Sequence, residues 1–211
     1  MNDRLLICFD WDGTLADSMD LCVREIELGL RRMGLPPRPL AEMRACNGPT
    51  YAQSVEILHI PEGLGEEFLR RRSAAELEVI PECQKLFPGI RELLADLREV
   101  SDLAIVSNGL PEYLKASGEL LGVTSFFVRT EALKPGRTKA QALAEVLEEA
   151  GHPRAVMVGD RLGDFEAGRA NRIPTVAACY GYGNEEEWCA ADHRAASVEE
   201  LRKLLRGMAV S

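Results

Sequence analysis

A short apolar run, Leu5 to Phe9, is followed directly by two aspartates, Asp10 and Asp12, and then by Gly13. A run of this kind predicts a buried strand, so the two carboxylates should emerge at its C-terminal end. Ligands bind at that edge in open α/β sheets. Two acids at a buried edge repel each other unless a cation or a functional requirement holds them there. The pattern favours a Mg²⁺ site with a nucleophile, and an ordinary acidic Asp-Gly turn explains this stretch equally well.

The composition is that of a soluble globular protein, with 211 residues of which 46% are hydrophobic and 28% charged. The net charge of −9 disfavours binding to nucleic acid or an anionic membrane, because both require a basic face. No secretory signal and no membrane span is predicted. The six cysteines are scattered without a CxxC pair. We therefore expect reduced thiols in a cytoplasmic protein, without a zinc cluster or a disulfide framework.

The segment after the acidic stretch contains only helical patterns, separated by breaks rich in Gly and Pro. The predicted helices span residues 18–33, capped by Ser18, and residues 40–45, 50–58 and 66–79. The triplet Arg70–Arg72 is predicted to be a solvated face, because Glu66 and Glu67 precede it at ion-pair spacing. We predict that residues 17–83 form a small helical cap domain, with hinges at residues 16–18 and 82–88.

From Pro88 onward, helical patterns alternate with short apolar runs. The predicted strands are Leu103–Val106, Phe126–Val128, Ala155–Val158 and Thr175–Cys179. The predicted helices are residues 89–100, a helix after Pro111, residues 138–151 capped by Thr138, and residues 197–206. Such alternation predicts an α/β fold, a doubly wound parallel sheet with helices on both faces. Residues 1–16 and 84–211 would share this Rossmann-like core, with the cap inserted after the first strand.

Polar side chains follow four of the predicted strands. They are Asp10 and Asp12, Ser107-Asn108-Gly109, Lys134 and Lys139, and Asp160 and Asp164. The carboxyl ends of parallel strands lie along one edge of the sheet. Carboxylates, a hydroxyl with adjacent backbone donors and an ammonium group should therefore converge there.

The order of these residues resembles the haloacid dehalogenase-like superfamily, in particular its phosphatases with a helical cap after the first strand. The stretch from Asp10 to Thr14 resembles the first motif of that family, Ser107-Asn108-Gly109 the second, and Gly159-Asp160 with Asp164 the fourth. The resemblance covers almost the whole chain. It implies a Mg²⁺-dependent hydrolase that acts on a small phosphorylated metabolite.

The resemblance also implies catalytic roles. Asp10 would be the nucleophile that forms an aspartyl-phosphate, and Asp12 the general acid and then the general base. The catalytic lysine would be Lys134 or Lys139, and the spacing between the lysine and the fourth motif slightly favours Lys139.

The remaining implied roles concern binding. Mg²⁺ would be held by Asp10, by the backbone carbonyl of Asp12, by Asp160, and by Asp164 either through water or indirectly. The candidate substrate-binding residues are Thr14, Ser107, Asn108 and Gly109, with Thr14 also holding the turn around Asp12. Residues 47–51 of the cap are candidates for contact with the leaving group.

Asp12 distinguishes among branches of the superfamily. Dehalogenases lack an aspartate at this position, and phosphonatases carry alanine there together with a reactive cap lysine, whereas residues 17–83 contain no lysine. A β-phosphoglucomutase-like enzyme stays open as an alternative, although Gly48–Ala52 lacks the arginine of that group. A non-catalytic regulator with the same fold is the other alternative. We expect a phosphatase of the phosphoglycolate phosphatase-like branch, and the sequence predicts neither its substrate nor its oligomeric state.

Overall fold

The computed structural model describes residues 4–132, 134, 136–151 and 154–210. Within these ranges the strands are β1 (Leu5–Phe9), β2 (Ala16–Asp17), β3 (Lys85–Leu86), β4 (Ser101–Ser107), β5 (Arg129–Ala132), β6 (Ala155–Gly159), β7 (Thr175–Ala178) and β8 (His193–Ala195). The helices are α1 (Met19–Arg32), α2 (Leu40–Ala45), α3 (Tyr51–Ile57), α4 (Gly65–Cys83), α5 (Ile90–Val100), α6 (Pro111–Leu121), α7 (Lys139–Ala150), α8 (Leu162–Ala170), α9 (Glu185–Trp188) and α10 (Val198–Val210).

The main sheet has the order β5-β4-β1-β6-β7-β8, and each neighbouring pair is parallel. β1 lies in the middle, and alternate side chains along it face opposite layers of the core. Ile7 and Phe9 pack in the layer that contains α5 and α10, while Leu6 and Cys8 pack in the layer that contains α7 and α8. The predicted α/β fold with a doubly wound parallel sheet is confirmed.

The helical insert, formed by α1–α4, has its own apolar core, which includes Ile26, Leu58 and Phe68. α1 and α4 pack closely at Gly29, where a Cβ would lie 3.4 Å from the Arg72 Cα, in ordinary van der Waals contact. The predicted helical cap is therefore present, with α4 reaching Cys83 rather than ending near Val79. Its domain boundaries at residues 16/17 and 83/84 stay predictions.

The chain enters and leaves the insert through two adjacent segments. β2 and β3 pair antiparallel, with Ala16 opposite Leu86 and Asp17 opposite Lys85. The Lys85 Nζ also lies 3.1 Å from Asp17 Oδ2. The two segments predicted to be hinges are thus joined side by side as a short ribbon.

Two details of the sheet differ from the sequence prediction. The predicted strand Phe126–Val128 is wrong: Thr124–Phe126 forms a 3-10 turn and the strand begins at Arg129. Phe126 and Phe127 instead pack against the core as partly buried side chains. The edge strand β8 was not predicted, because two of its three residues, His193 and Arg194, are polar and exposed.

Two further observations concern the chain as a whole. All six cysteines lie in the described ranges and are free thiols, as predicted. Among the described helices, none combines the length and the apolar character that crossing a membrane requires.

Candidate active site

Three buried aspartates meet at the carboxyl end of the central strands. Asp10 directly follows β1, Asp160 follows the neighbouring β6, and Asp164 lies in the first turn of α8. Each offers a carboxylate oxygen, and these oxygens lie within 4.8 Å of one another. Burial and the charge of Asp164 raise the pKa of Asp160 to about 7, and burial raises the pKa of Asp10 well above its usual value. Such a donor set fits Mg²⁺, which takes hard oxygen ligands and would relieve the repulsion.

The turn after β1 supports Asp160. Gly13 has φ +79°, and a Cβ at this position would lie 2.3 Å from Asp160 Oδ2, so the turn requires glycine. The Thr14 hydroxyl donates to Asp160 Oδ1 at 3.2 Å, and the Tyr182 backbone N–H donates to Oδ2 at 2.8 Å. Thr14, a candidate substrate-binding residue, is completely buried against Asp160.

The two candidate lysines occupy different environments. Thr138 caps α7, as predicted, and thereby places Lys139 in its first turn. The Lys139 Nζ lies 2.8 Å from Asp10 Oδ1 and 2.5 Å from Asp164 Oδ1. Burial lowers the pKa of Lys139, but the two carboxylates outweigh this effect and raise the pKa above its usual value. The Lys134 side chain is 57% exposed and pairs with Glu131 at 3.1 Å.

Asp12 is held apart from this cluster by two hydroxyl groups. The Tyr113 hydroxyl donates to Asp12 Oδ1 at 2.5 Å, and Ser18 also hydrogen-bonds to the carboxylate. Burial raises the pKa of Asp12, while these two hydrogen bonds oppose the shift. Ser18 precedes α1 but makes no side-chain cap bond, because its hydroxyl is used here and accepts from Asn47. The sequence analysis did not identify Tyr113 as a site residue, although its position in the first turn of α6, directly after the second motif, indicated that it could reach the site.

The Ser107-Asn108-Gly109 segment follows β4. Ser107 is buried, and its Oγ accepts from the Gly109 backbone N–H at 3.0 Å. The Asn108 side chain donates to the Gly48 carbonyl oxygen of the insert at 2.9 Å. All three residues line a cavity, about 40 Å³ in volume, that is also lined by the two acids Asp10 and Asp12.

The insert supplies the opposite wall of this cavity through Asn47, Gly48, Pro49 and Tyr51, within the predicted contact segment. A second connection to the core lies next to it, where Arg161 donates to the Asn47 carbonyl oxygen at 2.9 Å. Glu187 orients this arginine through an ion pair of 2.9 Å. The insert is therefore held against the sheet edge by Asn108 and by Arg161.

Tyr51 and three buried residues of the same wall, Glu25, Arg72 and Glu76, form a polar cluster that we call the cap cluster. Arg72 pairs with Glu25 Oε1 at 2.6 Å and lies 4.3 Å above the Tyr51 ring. The Tyr51 hydroxyl donates to Glu76. Predicting a solvated face was wrong for Arg72, which is only 3% exposed, since α4 turns this residue towards α1.

Comparison with known proteins gives three findings. A family model for haloacid dehalogenase-like hydrolases matches residues 7–178. Among curated relatives, a phosphoglycolate phosphatase from Synechococcus elongatus is 31% identical over 88% of this chain and 88% of its own length. A tyrosine-protein kinase, PtkA from Mycobacterium tuberculosis, is 29% identical over 95% of this chain and 72% of its own.

A solved structure agrees with the fold. The haloacid dehalogenase-like family hydrolase from Streptococcus pneumoniae superposes with a TM-score of 0.87 at 22% identity. The match covers 98% of this chain and 100% of that one, so it includes both the sheet and the helical insert.

Proposed function

Because the chain belongs to the haloacid dehalogenase-like hydrolases and to their phosphatases, we propose that it hydrolyses a small phosphorylated metabolite through an aspartyl-phosphate on Asp10. The observation that carries the proposal is the contact of buried Asp10 with Lys139, next to Asp160 and Asp164. Phosphoryl transfer depends mostly on positioning and on charge stabilisation, and this arrangement supplies both. The six free cysteine thiols support a cytoplasmic location, and the acidic net charge argues against a nucleic-acid partner.

The first step forms a bond between an Asp10 carboxylate oxygen and phosphorus and breaks the bond from phosphorus to the leaving oxygen. Asp12 would give its proton to that oxygen and later take a proton from the water that attacks the aspartyl-phosphate. Two features support this division of labour. The raised pKa of Asp12 favours the protonated form, and Tyr113 keeps its carboxyl away from the other three aspartates.

The other residues would stabilise charge. Lys139, rather than Lys134, would neutralise charge on Asp10 and on the phosphoryl oxygens, because its ammonium already contacts Asp10. The Ser107 hydroxyl, whose oxygen accepts from the Gly109 N–H, and the backbone N–H of Asn108 would bind phosphoryl oxygens.

Asp10, Asp160, Asp164 and the Asp12 carbonyl would hold Mg²⁺. When bound, the metal supplies positive charge to the phosphoryl group. Thr14 would act on this site indirectly, by fixing Asp160 through their hydrogen bond.

Residues 17–83 would act as a mobile cap. The cavity beside Asp10 and Asp12 measures about 40 Å³, and a neighbouring cavity of about 210 Å³ is lined by Asp10, Lys139 and Asp164. Opening of the cap would give a phosphate ester a wider path to Asp10. Opening would break the contacts of the cap with Asn108 and Arg161 and bend the chain at β2 and β3. Closing again would exclude water from the reacting atoms.

The direct test is phosphate release from a panel of phosphate esters in the presence of Mg²⁺. Asp10→Asn should abolish release. Asp12→Asn should lower turnover by orders of magnitude on esters with poor leaving groups, yet still permit phosphorylation of Asp10 by an activated ester such as p-nitrophenyl phosphate. Equal activity of Asp12→Asn and wild type on a poor leaving group would contradict the acid–base role.

Two other outcomes identify competing functions. Conversion of a sugar phosphate without phosphate release would indicate a mutase. Transfer of phosphate from ATP to a tyrosine peptide would indicate an activity like the one for which the mycobacterial relative is named. Absence of any turnover, with or without EDTA, would contradict an enzymatic role.

A further inference from the structure

The cap cluster lies on the cavity wall but takes no part in the proposed chemistry. Glu25, Arg72 and Glu76 are each at most 3% exposed, and all of them line the cavity together with Asp10 and Asp12. Burying such charges is unfavourable unless they are paired. Their position opposite the proposed nucleophile places them where the leaving group of a phosphate ester must lie.

The charges within the cap cluster cancel. The Arg72 guanidinium contacts Glu25 through both Nε, at 2.7 Å, and Nη2, at 2.6 Å. The Glu25 and Glu76 carboxyl groups also interact with each other, and the Oε2 atom of each has no other partner among the described residues, so a proton on one of the two groups would join them. Burial raises the pKa of Glu76 well above its usual value, so we place the proton there. One cation, one anion and one neutral acid leave the cluster without net charge.

Four buried polar atoms of cavity-lining residues have no hydrogen-bond partner among the described residues: Arg72 Nη1, which is a donor, and Asn47 Oδ1, Glu25 Oε2 and Glu76 Oε2, which are acceptors. The proton shared by Glu25 and Glu76 satisfies the two carboxyl oxygens, which leaves Arg72 Nη1 and Asn47 Oδ1 for a ligand. A hydroxyl group can accept from the first and donate to the second. A carboxylate can satisfy only the donor, and an ammonium group only the acceptor.

A carboxylate in this place would meet a second obstacle. The positive charge of Arg72 is already compensated by Glu25, and the opposite wall carries the proposed nucleophile Asp10. An additional negative charge would therefore be repelled, and juxtaposed like charges cost several kcal/mol at a desolvated contact. The small cavity volume limits the leaving group to a few heavy atoms.

We propose that the cavity selects phosphate esters whose leaving group is a small, uncharged alcohol with a second hydroxyl, and that Glu25 excludes esters that carry a carboxylate. The proposal rests on the phosphatase function proposed above and adds the chemical class of its leaving group. It differs from the substrate after which the cyanobacterial relative is named, since phosphoglycolate carries a carboxylate.

The test uses three esters that differ mainly in charge: 2-hydroxyethyl phosphate, phosphoglycolate and phosphoethanolamine. We expect kcat/KM for 2-hydroxyethyl phosphate to exceed the value for each of the other two by about tenfold or more. Acetyl phosphate serves as an activated acyl phosphate that reports turnover independently of the leaving-group contacts.

Charge variants of the cap cluster then test the role of Glu25. Glu25→Gln leaves Arg72 uncompensated and should raise the ratio of kcat/KM for phosphoglycolate to that for 2-hydroxyethyl phosphate by about tenfold. Arg72→Gln should lower the same ratio and favour phosphoethanolamine. The double variant E25Q/R72Q removes both charges and should return the ratio to within about threefold of wild type. A general loss of packing would not move the ratio in opposite directions.

Glu76→Gln is the matched control, because glutamine imitates the protonated acid and leaves the charge of the cluster unchanged. Its selectivity ratio should stay within about twofold of the wild-type ratio. Thermal unfolding of each variant checks that it is folded. If Glu25→Gln alone does not fold, the comparison of the double variant E25Q/R72Q with Arg72→Gln replaces it.

The outcomes separate the two proposals. If neither the three esters nor acetyl phosphate release phosphate, the proposed function fails and the leaving-group proposal fails with it. If acetyl phosphate is hydrolysed but phosphoglycolate or phosphoethanolamine is the best of the three esters, only the leaving-group proposal is overturned. An unchanged ratio in both Glu25→Gln and Arg72→Gln overturns it as well.

Discussion

Two buried charged clusters face each other across the cavity, and they differ in charge balance. The core cluster contains Asp10, Asp160 and Asp164 against a single ammonium group, that of Lys139. In the cap cluster, by contrast, Arg72 and the shared proton on the two glutamates compensate the negative charge. A balanced cluster can exist in the free protein, whereas an unbalanced one requires a cation from outside. Charge balance thus separates a site that binds metal from a wall that selects among ligands.

Metal removal should give the largest effect that distinguishes the core cluster from the cap cluster. EDTA should lower phosphate release by about 10³-fold or more, because the excess negative charge of the core cluster then faces the anionic substrate directly. Mg²⁺ at a hundred times its Kd should also stabilise the folded protein by about 2.7 kcal/mol.

Thermal unfolding with Mg²⁺ and with EDTA measures this stabilisation. Asp160→Asn should lose most of the Mg²⁺-dependent shift in Tm, while Glu76→Gln in the cap cluster should retain it. An identical Tm in Mg²⁺ and in EDTA would contradict a metal site in the core cluster.

The two lysines provide the next comparison. Lys139→Met removes the one cation of the core cluster and should reduce kcat/KM by about 10²-fold or more. Lys134→Met removes an exposed ion pair with Glu131 and should change kcat/KM by less than about twofold. Steady-state kinetics on one ester settle the matter, and a larger effect at Lys134 would reverse the assignment.

Tyr113 tests the environment of Asp12 between the two clusters. Tyr113→Phe removes the 2.5 Å hydrogen bond to Asp12 and should lower kcat by roughly tenfold on esters with poor leaving groups. The loss should be smaller for p-nitrophenyl phosphate, whose leaving group needs no proton. Equal losses on both kinds of ester would indicate a structural role for the phenol instead.

The smallest expected effect concerns stability at the cap cluster. Since the folded-state pKa of Glu76 lies above the value of 4.5 that serves for an unperturbed group, the folded protein keeps a proton that the unfolded chain releases. Wild-type stability should therefore fall as pH rises above that value, by up to about 1.4 kcal/mol per pH unit, until the folded-state pKa is reached.

Glu76→Gln cannot ionise and should escape this loss. The difference in unfolding free energy between Glu76→Gln and wild type should thus shift in favour of the variant between pH 5 and pH 8, as measured by urea denaturation. A flat difference for Glu76→Gln would mean that Glu76 is ionised in the folded protein.

The sequence predicted the core side of the cavity far better than the cap side. Asp10, Asp160 and Ser107 could be found because each lies at the carboxyl end of an apolar strand, and parallel strands bring such positions together. Their convergence requires only the topology of the sheet. The catalytic lysine was harder to predict, because the sequence between β5 and α7 shows neither a helical nor a strand periodicity.

The cap side depends on which face of each helix is buried. Arg72 lies next to two exposed arginines, and nothing in the triplet itself distinguishes it. The relevant signals lie far away in the sequence, at Glu25 and at Gly29, where α1 packs closely against α4. Tertiary packing therefore decides the pairing, and a local pattern of charges cannot.

The pairing of β2 with β3 has a consequence for how the gene can be altered. Since Ala16 lies opposite Leu86 and Asp17 opposite Lys85, the whole insert is topologically the loop of a two-stranded hairpin. A short turn could join Asp17 to Lys85 without moving either strand, and the parallel sheet would keep all its strands. The cap is thus a replaceable module: one catalytic platform can receive loops of different length and sequence, and exchange of this single segment is a route to a new substrate range.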